Sequence, residues 1–308
     1  ACFSWGRYLA VPCRCLVSLG WAACRLPVSW GVHVFRCGCG LVARASLVIG
    51  RGGMPSKASF VPIVAMHRAK RHGWLEVKPR HPDQYLAEIV AWKDREIAQF
   101  RDYRAEVISR LQTKDFEMIG GNGRFVSENE IESGGRRYPF DAAIIATGSS
   151  NSIPAEVQVP IGPEGAWTND EILANTELPK SLLTIGAGPV GLEISLRYAR
   201  LGCAVTIVAR STLLAKFPST FGERLEKIFE REGVRVLTGQ SIAAVTRADS
   251  GEFIVRTNYG VVARTLLAAQ ALIPLGRTSA QYTLNCATAG FPSTRRVAPS
   301  LSDGLAAQ

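Results

Sequence analysis

The segment Leu182-Leu183-Thr184-Ile185-Gly186-Ala187-Gly188-Pro189-Val190-Gly191 carries three glycines in the spacing G-x-G-x-x-G, directly after a short apolar run. The apolar run predicts a buried strand, and the residues from 191 to 201 have the apolar spacing of a helix. In that context Gly186 makes the tight turn, Gly188 admits a pyrophosphate close to the backbone, and Gly191 lets helix and strand pack. The free N–H groups and dipole of the helix N-terminus attract phosphate. The segment therefore predicts a dinucleotide site; the alternative is a glycine-rich turn without a ligand.

Residues 180–275, which include this segment, are predicted to alternate between strand and helix. Ala204 to Val208 predicts a strand, Phe221 to Glu232 an amphipathic helix, and Val234 to Leu237 a further strand. Such alternation is typical of a parallel sheet covered by helices. We therefore predict an α/β fold, with a Rossmann-like doubly wound parallel sheet for a nucleotide domain over residues 151–270. The sequence shows no internal repeat.

The end of the second predicted strand indicates which nucleotide is bound. An NAD site usually has Asp or Glu there, bonded to the ribose 2′-hydroxyl. Here the strand runs into Ala209-Arg210-Ser211, without an acid. The Arg210 guanidinium is suited to a 2′-phosphate, and Lys216 adds a second positive charge. We therefore predict NADP(H) rather than NAD(H); the alternative is that Arg210 is a solvated surface residue.

The charge of the chain is distributed unevenly. The formal net charge is +10, and ten of the 36 basic residues lie in residues 1–75, where there is no acid before Glu76. The other 26 basic residues match the 26 acidic ones, so the rest of the chain is neutral. The N-terminal charges are dispersed and form no recognised module, so we expect no nucleic-acid partner. No apolar run reaches the roughly 18 residues of a spanning helix, so we expect no membrane partner and a cytoplasmic location.

Composition and pattern divide the chain into four parts. Residues 1–53 are an atypical, acid-free segment with six of the eight cysteines and no sustained period. Translation in a wrong reading frame is one hypothesis for this composition. Residues 54–150 begin with a helical stretch that extends to about residue 115 and continue as short strands with turns. The nucleotide domain, 151–270, follows, and residues 271–308 end in a loose tail.

Several motifs outside the glycine segment occur in a fixed order. They are Met54-Pro55-Ser56-Lys57, Gly121-x-Gly123-x-Phe125, Ala146-Thr147-Gly148, Glu193, Leu275-Gly276-Arg277-Thr278 and Leu284-Asn285. In this order they resemble the FAD-dependent pyridine nucleotide-disulfide oxidoreductases, the family of dihydrolipoamide dehydrogenase, mercuric reductase and glutathione reductase type. The resemblance runs from about Met54 to about Gly290. It implies that the nucleotide domain is inserted in an incomplete FAD-binding α/β domain, formed by residues 54–150 and by the start of the returning segment in residues 271–308.

The resemblance implies a flavoenzyme in which NAD(P)H passes hydride to FAD and electrons continue through a cysteine pair to a small-molecule redox substrate. It places Lys57 beside the flavin N5, paired with Glu193, as the catalytic residues. A cation there would stabilise a developing flavin anion, and the carboxylate would hold the lysine. The same resemblance assigns four residues to the cofactors, namely Gly123, Thr147, Gly148 and Gly276. The alternative for Lys57 and Glu193 is an ordinary structural ion pair, or no pair.

The chain also departs from the family pattern. Val48 and Gly53 stand where the family has its redox cysteines, so we expect no disulfide relay. The first FAD glycine motif is expected near residue 20 but is not recognisable there. We expect the second FAD segment and the domain that forms the family's homodimer beyond residue 308. No metal-ligand spacing is present among the four histidines.

Three functions therefore remain open from the sequence. The first is an FAD/NAD(P)-dependent oxidoreductase of dihydrolipoamide dehydrogenase or mercuric reductase type. The second is an NADP(H)-binding protein that holds FAD weakly or not at all and has no catalytic activity. The third is an inert product that exposes apolar faces and aggregates. Flavin content and nucleotide binding distinguish the three.

Overall fold

A computed structural model describes residues 14–17, 33–38, 49, 52–73, 82–110, 116–120, 122–140, 142–145, 149–279 and 284–290. Its α-helices are α1 (Gly53–His72), α2 (Pro82–Arg110), α3 (Asn169–Ala174), α4 (Pro189–Leu201) and α5 (Ser219–Arg231). Its first eight strands are β1 (Arg14–Val17), β2 (His33–Gly38), β3 (Phe116–Gly120), β4 (Arg124–Ser127), β5 (Glu130–Ser133), β6 (Arg136–Pro139), β7 (Ala142–Ile144) and β8 (Ser149–Asn151). The others are β9 (Ser181–Ile185), β10 (Ala204–Val208), β11 (Arg235–Leu237), β12 (Ser241–Arg247), β13 (Phe253–Tyr259), β14 (Val262–Ala268), β15 (Gln270–Leu272) and β16 (Arg277–Ser279).

The chain folds as two compact units. The first unit contains residues 1–50, 100–150 and 278–308, and the second contains residues 51–99 and 151–277. This division differs from the sequence boundaries, which place 54–99 with 100–150. The reason is packing: Ile63 of α1 and Leu86 of α2 are buried in the same apolar cluster as the strands and helices of the nucleotide domain.

The first unit contains a four-stranded parallel sheet in the order β3-β2-β1-β7. Its strands β1 and β2 lie in the segment for which the sequence shows no sustained period. Strands of four and six residues are too short for a reliable period, and strands of parallel sheets read as apolar runs rather than as alternation. An antiparallel sheet, β4-β5-β6, packs Phe125 and Ile131 against Phe140 and Leu284.

The second unit is built on a parallel sheet in the order β11-β10-β9-β15. Val205 of β10 lies beside Leu182 of β9, and both are buried with Leu192 and Tyr198 of α4. The helices α4 and α5 occupy the crossovers that parallel pairing requires. This sheet confirms the predicted α/β fold and places the glycine segment at the carboxyl end of β9.

The strand–helix alternation expected up to residue 275 stops at β11. Residues 241–268 form instead an antiparallel sheet in the order β12-β13-β14. Phe253, Val255 and Thr257 of β13 are buried, whereas Arg256 and Asn258, on either side of Thr257, are exposed, which is the period-two pattern of a sheet with one solvated face. The expectation of alternation was therefore wrong for this segment.

The predicted helical stretch from 54 to 115 is two helices, separated by residues outside the described part of the chain.

Among the helices that the structure describes, none combines the length and the apolar character needed to cross a membrane. No group of three or more His, Cys, Asp or Glu in the described ranges is arranged to hold a metal ion.

Candidate functional site

The glycine segment forms the connection between β9 and α4. Gly186 has φ of +115°, a conformation that L side chains rarely adopt. A Cβ added there would also lie 2.9 Å from Leu275 Cδ2. Its backbone N–H donates to Val208 O at 2.8 Å, which holds the turn against the end of β10. Gly186 therefore has the geometry of the tight-turn glycine.

Gly188 is the N-cap of α4 and faces open space. Its φ of −78° and ψ of 170° are accessible to any residue, and an added Cβ would meet nothing within 4 Å. Pro189 occupies the first helical position, where its missing N–H costs no hydrogen bond. The free N–H groups of the first turn and the helix dipole favour an anion at this point. A side chain at position 188 would occupy the cradle that a phosphate needs.

Gly191 is buried and packs tightly. An added Cβ would lie 2.6 Å from Gly186 O, 2.9 Å from Pro274 Cγ and 3.3 Å from Thr184 Cγ2. The first turn of α4 is therefore in contact with the strand–loop backbone, which is the role expected of the third glycine.

The loop after β10 carries Arg210 and Lys216, both of which are exposed. Neither forms an ion pair with any residue that the structure describes. The loop is tied to the glycine segment, because the Leu214 N–H donates to Ala187 O at 3.0 Å. It also contacts α5 closely: an added Cβ at Gly222 would lie 2.4 Å from Leu213 O. Two unpaired cations thus lie on a loop whose backbone is bonded to the glycine turn.

Lys57 of α1 and Glu193 of α4 are brought together by the fold. The Lys57 ammonium donates to both carboxylate oxygens of Glu193, at 2.8 and 3.0 Å. The Ser56 hydroxyl donates to the same carboxylate, a contact that the sequence motif alone does not reveal. The Lys57 side chain is 66% exposed, whereas that of Glu193 is 28% exposed. The Lys57 ammonium is therefore exposed to solvent, while the less exposed Glu193 carboxylate of α4 holds it in place.

Of the four residues that the resemblance assigns to the cofactors, two lie in the described part of the chain and two lie outside it. Gly123 is buried next to the start of β4, and Gly276 follows β15 with φ of +101°. Thr147 and Gly148 lie outside the described residues, as does the stretch near residue 20 where the first FAD motif is expected.

The two cysteines of the described core are not placed for redox chemistry. Cys203 and Cys286 are both buried, and neither forms a disulfide with a residue that the structure describes. Burial raises the pKa of the Cys203 thiol to about 12 and also raises that of Cys286. Since the thiolate is the reactive form, both behave as small core residues.

A comparison with protein families identifies the chain. A family profile described as pyridine nucleotide-disulphide oxidoreductase matches residues 46–297. The chain belongs to this family. The match includes the glycine segment, the Lys57–Glu193 pair and the three-stranded sheet after β11.

Curated relatives in the family include mercuric reductases and a dihydrolipoyl dehydrogenase. The chain is 32% identical over 193 residues to a mercuric reductase of Acidithiobacillus ferrooxidans, an alignment that covers 61% of this chain and 34% of the relative. It is 29% identical over 249 residues to a dihydrolipoyl dehydrogenase of Thermus scotoductus, covering 80% of this chain and 52% of the relative. The chain thus spans between a third and about half the length of these two relatives.

Solved structures of the family share the fold. The HOCl-induced flavoprotein disulfide reductase RclA from Escherichia coli superposes with a TM-score of 0.76 at 18% identity, covering 94% of this chain and 62% of that one. LpdA from Mycobacterium tuberculosis gives a TM-score of 0.74 at 23% identity, covering 92% and 62%. At these identities the likeness concerns the fold alone.

Proposed function

We propose that this chain binds NADP(H) across the glycine turn between β9 and α4. The open cradle at Gly188 carries the proposal, because it lies at a helix N-terminus and no side chain fills it. A pyrophosphate there would accept hydrogen bonds from backbone N–H groups and interact favourably with the helix dipole. Gly186 and Gly191 hold the turn and the helix in the required positions.

The preference for NADP(H) over NAD(H) rests on Arg210 and Lys216. Both are exposed, and both lack an ion-pair partner among the described residues. The hydrogen bond from Leu214 to Ala187 links their loop to the turn that would hold the pyrophosphate. A guanidinium at the end of β10 is suited to bidentate contact with a 2′-phosphate. No carboxylate stands there to receive a 2′-hydroxyl.

Reversal of one charge tests the preference. We expect Arg210→Glu to raise the Kd for NADPH by roughly ten-fold or more, since a charge-assisted contact becomes a repulsion. The Kd for NADH should change by less than about two-fold, because that ligand has no 2′-phosphate. Fluorescence titration of both nucleotides provides the measurement.

Arg256→Glu is the matched control for this titration. Arg256 is equally exposed and makes no ion pair with the residues described, but it lies on β13 in the three-stranded sheet. The control variant should bind both nucleotides as the wild type does. Equal weakening of NADPH and NADH by Arg210→Glu would remove Arg210 from the site.

The second candidate function is the family's oxidoreductase activity, and the Lys57–Glu193 pair favours it. A flavin, when bound, supplies an acceptor for hydride from the reduced nucleotide. Lys57 would present its ammonium to that group, and Glu193 and Ser56 would keep the ammonium oriented. The fit to FAD is incomplete, however, because β2 ends at Gly38 and no acid before Glu76 provides the carboxylate for the FAD ribose. We propose a small-molecule redox acceptor as the partner in this case.

Flavin content separates the two candidates. The purified chain is examined for visible flavin absorbance, before and after incubation with FAD and desalting. A yellow chain that oxidises NADPH with a dye acceptor supports the oxidoreductase. A colourless chain that still binds NADPH supports nucleotide binding alone.

A further inference from the structure

Arg197 of α4 is a charged residue in the interior of the second unit. Its exposed fraction is 2%, and its guanidinium lies in the contact between α4 and α1. The Nη1 group donates to Ser59 Oγ of α1 at 2.9 Å. The Nε and Nη2 groups have no hydrogen-bond partner among the residues that the structure describes. The other large side chains that this helix buries are apolar or aromatic, so the burial of Arg197 is not evident from the motif.

This arrangement is unfavourable for stability. Burial lowers the pKa of Arg197, while the nearby Tyr198 and Glu193 act in the opposite direction. An arginine remains protonated in proteins, so the buried group is a cation. Buried donors without partners lose their hydration and gain nothing in return. An apolar side chain of similar volume is often neutral or better at such a position.

The contacts of Arg197 lead to the Lys57–Glu193 pair. Ser59, which accepts from Arg197, donates its own hydroxyl to Pro55 O at 2.8 Å and to Ser56 O at 3.1 Å. Those carbonyls belong to the turn of α1 that carries Lys57. On α4, Glu193 lies one turn before Arg197, on the same side of the helix.

The two helices are therefore joined by two polar contacts one turn apart. Glu193 meets Ser56 and Lys57 at the first, and Arg197 meets Ser59 at the second. Together with the apolar packing of Ile63, these contacts hold the N-terminal part of α1 against α4 at two successive turns. The second contact also places a buried positive charge near the Glu193 carboxylate.

We propose that Arg197 is a positioning residue that, through Ser59, holds the first turn of α1 so that Lys57 meets the Glu193 carboxylate. The role of Lys57 toward a flavin rests on the proposed oxidoreductase function. The positioning itself concerns only residues of this chain, and it holds whether or not a nucleotide or flavin binds.

Chemical labelling of Lys57 tests this role. A lysine nitrogen held against a carboxylate acylates slowly, because it must leave that contact before it can attack the reagent. We expect Arg197→Met to raise the acylation rate of Lys57, measured by mass spectrometry, by roughly two- to five-fold, the range set by the strength of exposed ion pairs. Lys216 and Lys227, both exposed, serve as internal references whose rates should not change. The thermal midpoint of Arg197→Met should equal or exceed that of the wild type.

Further variants make the result decisive. Ser59→Ala removes the acceptor without adding volume and should raise the Lys57 rate in the same way. Arg197→Lys keeps a donor for Ser59 and should restore a rate close to that of the wild type. Glu193→Gln breaks the ion pair directly, so its Lys57 acylation rate is the upper limit. The double variant Arg197→Met with Glu193→Gln should not exceed that rate.

A purely structural role predicts the opposite pattern. In that case Arg197→Met lowers the thermal midpoint and raises the rates of all lysines together, or leaves the Lys57 rate unchanged. Either result would overturn the proposal. If Arg197→Met does not fold, Ser59→Ala decides: an unchanged Lys57 rate in that variant rejects the role. The Kd for NADPH is measured on the same proteins in a separate titration. Failure of the nucleotide proposal can therefore be distinguished from failure of the positioning role of Arg197.

Discussion

Gly188 and Gly191 lie three residues apart but are constrained in different ways. Gly188 has an ordinary extended backbone and open space in front of it, so the fold itself does not require glycine there. Gly191 is in contact with backbone and side-chain atoms on three sides, so the packing of α4 requires it. One glycine is consistent with a ligand, and the other is explained by the fold.

This difference predicts opposite effects of two substitutions. Gly188→Asp introduces a favoured N-cap residue, so we expect unfolding free energy within about 0.5 kcal/mol of the wild type. The same change should weaken NADPH binding by roughly a hundred-fold, because a carboxylate enters the phosphate cradle. Gly191→Ala should lower the unfolding free energy by about 1–3 kcal/mol through overpacking. Urea denaturation measures the unfolding free energies, and nucleotide titration measures the NADPH affinities. An unchanged NADPH affinity in Gly188→Asp would contradict a phosphate site at Gly188.

Helices α1, α4 and α5 are joined by a second polar network, away from the glycine turn. Arg200 of α4 makes a two-bond contact with Glu232 at the end of α5, at 2.9 and 3.1 Å. His67 of α1 lies 3.4 Å from the same carboxylate. Hydrogen bonding to Arg200 lowers the pKa of Glu232. Burial lowers the pKa of His67, and the positive charges of Arg200, Arg71 and Lys70 add to this effect, while Glu232 opposes it.

The direction of the His67 shift predicts an acid-sensitive contact. A histidine whose pKa is lower in the folded state takes up its proton more readily in the unfolded state. Its contribution to stability is therefore present above the ordinary histidine pKa and is lost as the pH falls through the folded value. We expect the unfolding free energy to decrease between about pH 7 and pH 5. Urea denaturation across this interval provides the measurement.

One variant assigns this pH dependence. His67→Gln should flatten the slope between about pH 7 and pH 5, while the loss due to Glu232 remains at lower pH. A steep slope that persists in His67→Gln would assign the effect to other groups.

The two units of the chain share one order of strands. In the first unit three parallel strands, β1 to β3, are followed by the sheet β4-β5-β6, and β7 returns to lie beside β1. In the second unit β9 to β11 are followed by the sheet β12-β13-β14, and β15 returns beside β9. No internal repeat is visible in the sequence. The same topology is therefore encoded by two different sets of apolar residues.

The family's activity on disulfides is not expected of the chain. This expectation rests on the resemblance, which aligns Val48 and Gly53 with the family's redox cysteines, and on Cys203 and Cys286, whose pKa values are raised by burial. We predict that NADPH-dependent reduction of lipoamide or glutathione disulfide stays at the rate of a blank without protein. A dye acceptor assayed in parallel shows whether electrons reach any acceptor. Disulfide reduction above the blank would disprove this prediction.

Local features of the chain could be predicted from its residues. The strand, turn and helix from Leu182 to Leu201 follow from an apolar run, three glycines and helical spacing, all within twenty residues. The end of β10 at Val208, two residues before Arg210, follows from the same kind of local pattern. The contact between Lys57 and Glu193 was expected only from the resemblance to a family, since 136 positions separate them.

Features that depend on distant segments became evident only in the folded chain. The pairing of β1 with β2 and β7, the grouping of α1 and α2 with the nucleotide domain, and the burial of Arg197 against Ser59 all join residues far apart in sequence. From the sequence alone a charged residue is predicted to be exposed, and its burial becomes evident only when the helix that covers it is known. The physical reason is that periodicity and turn chemistry act over a few residues, whereas burial and polar partners result from which surfaces the whole chain brings together.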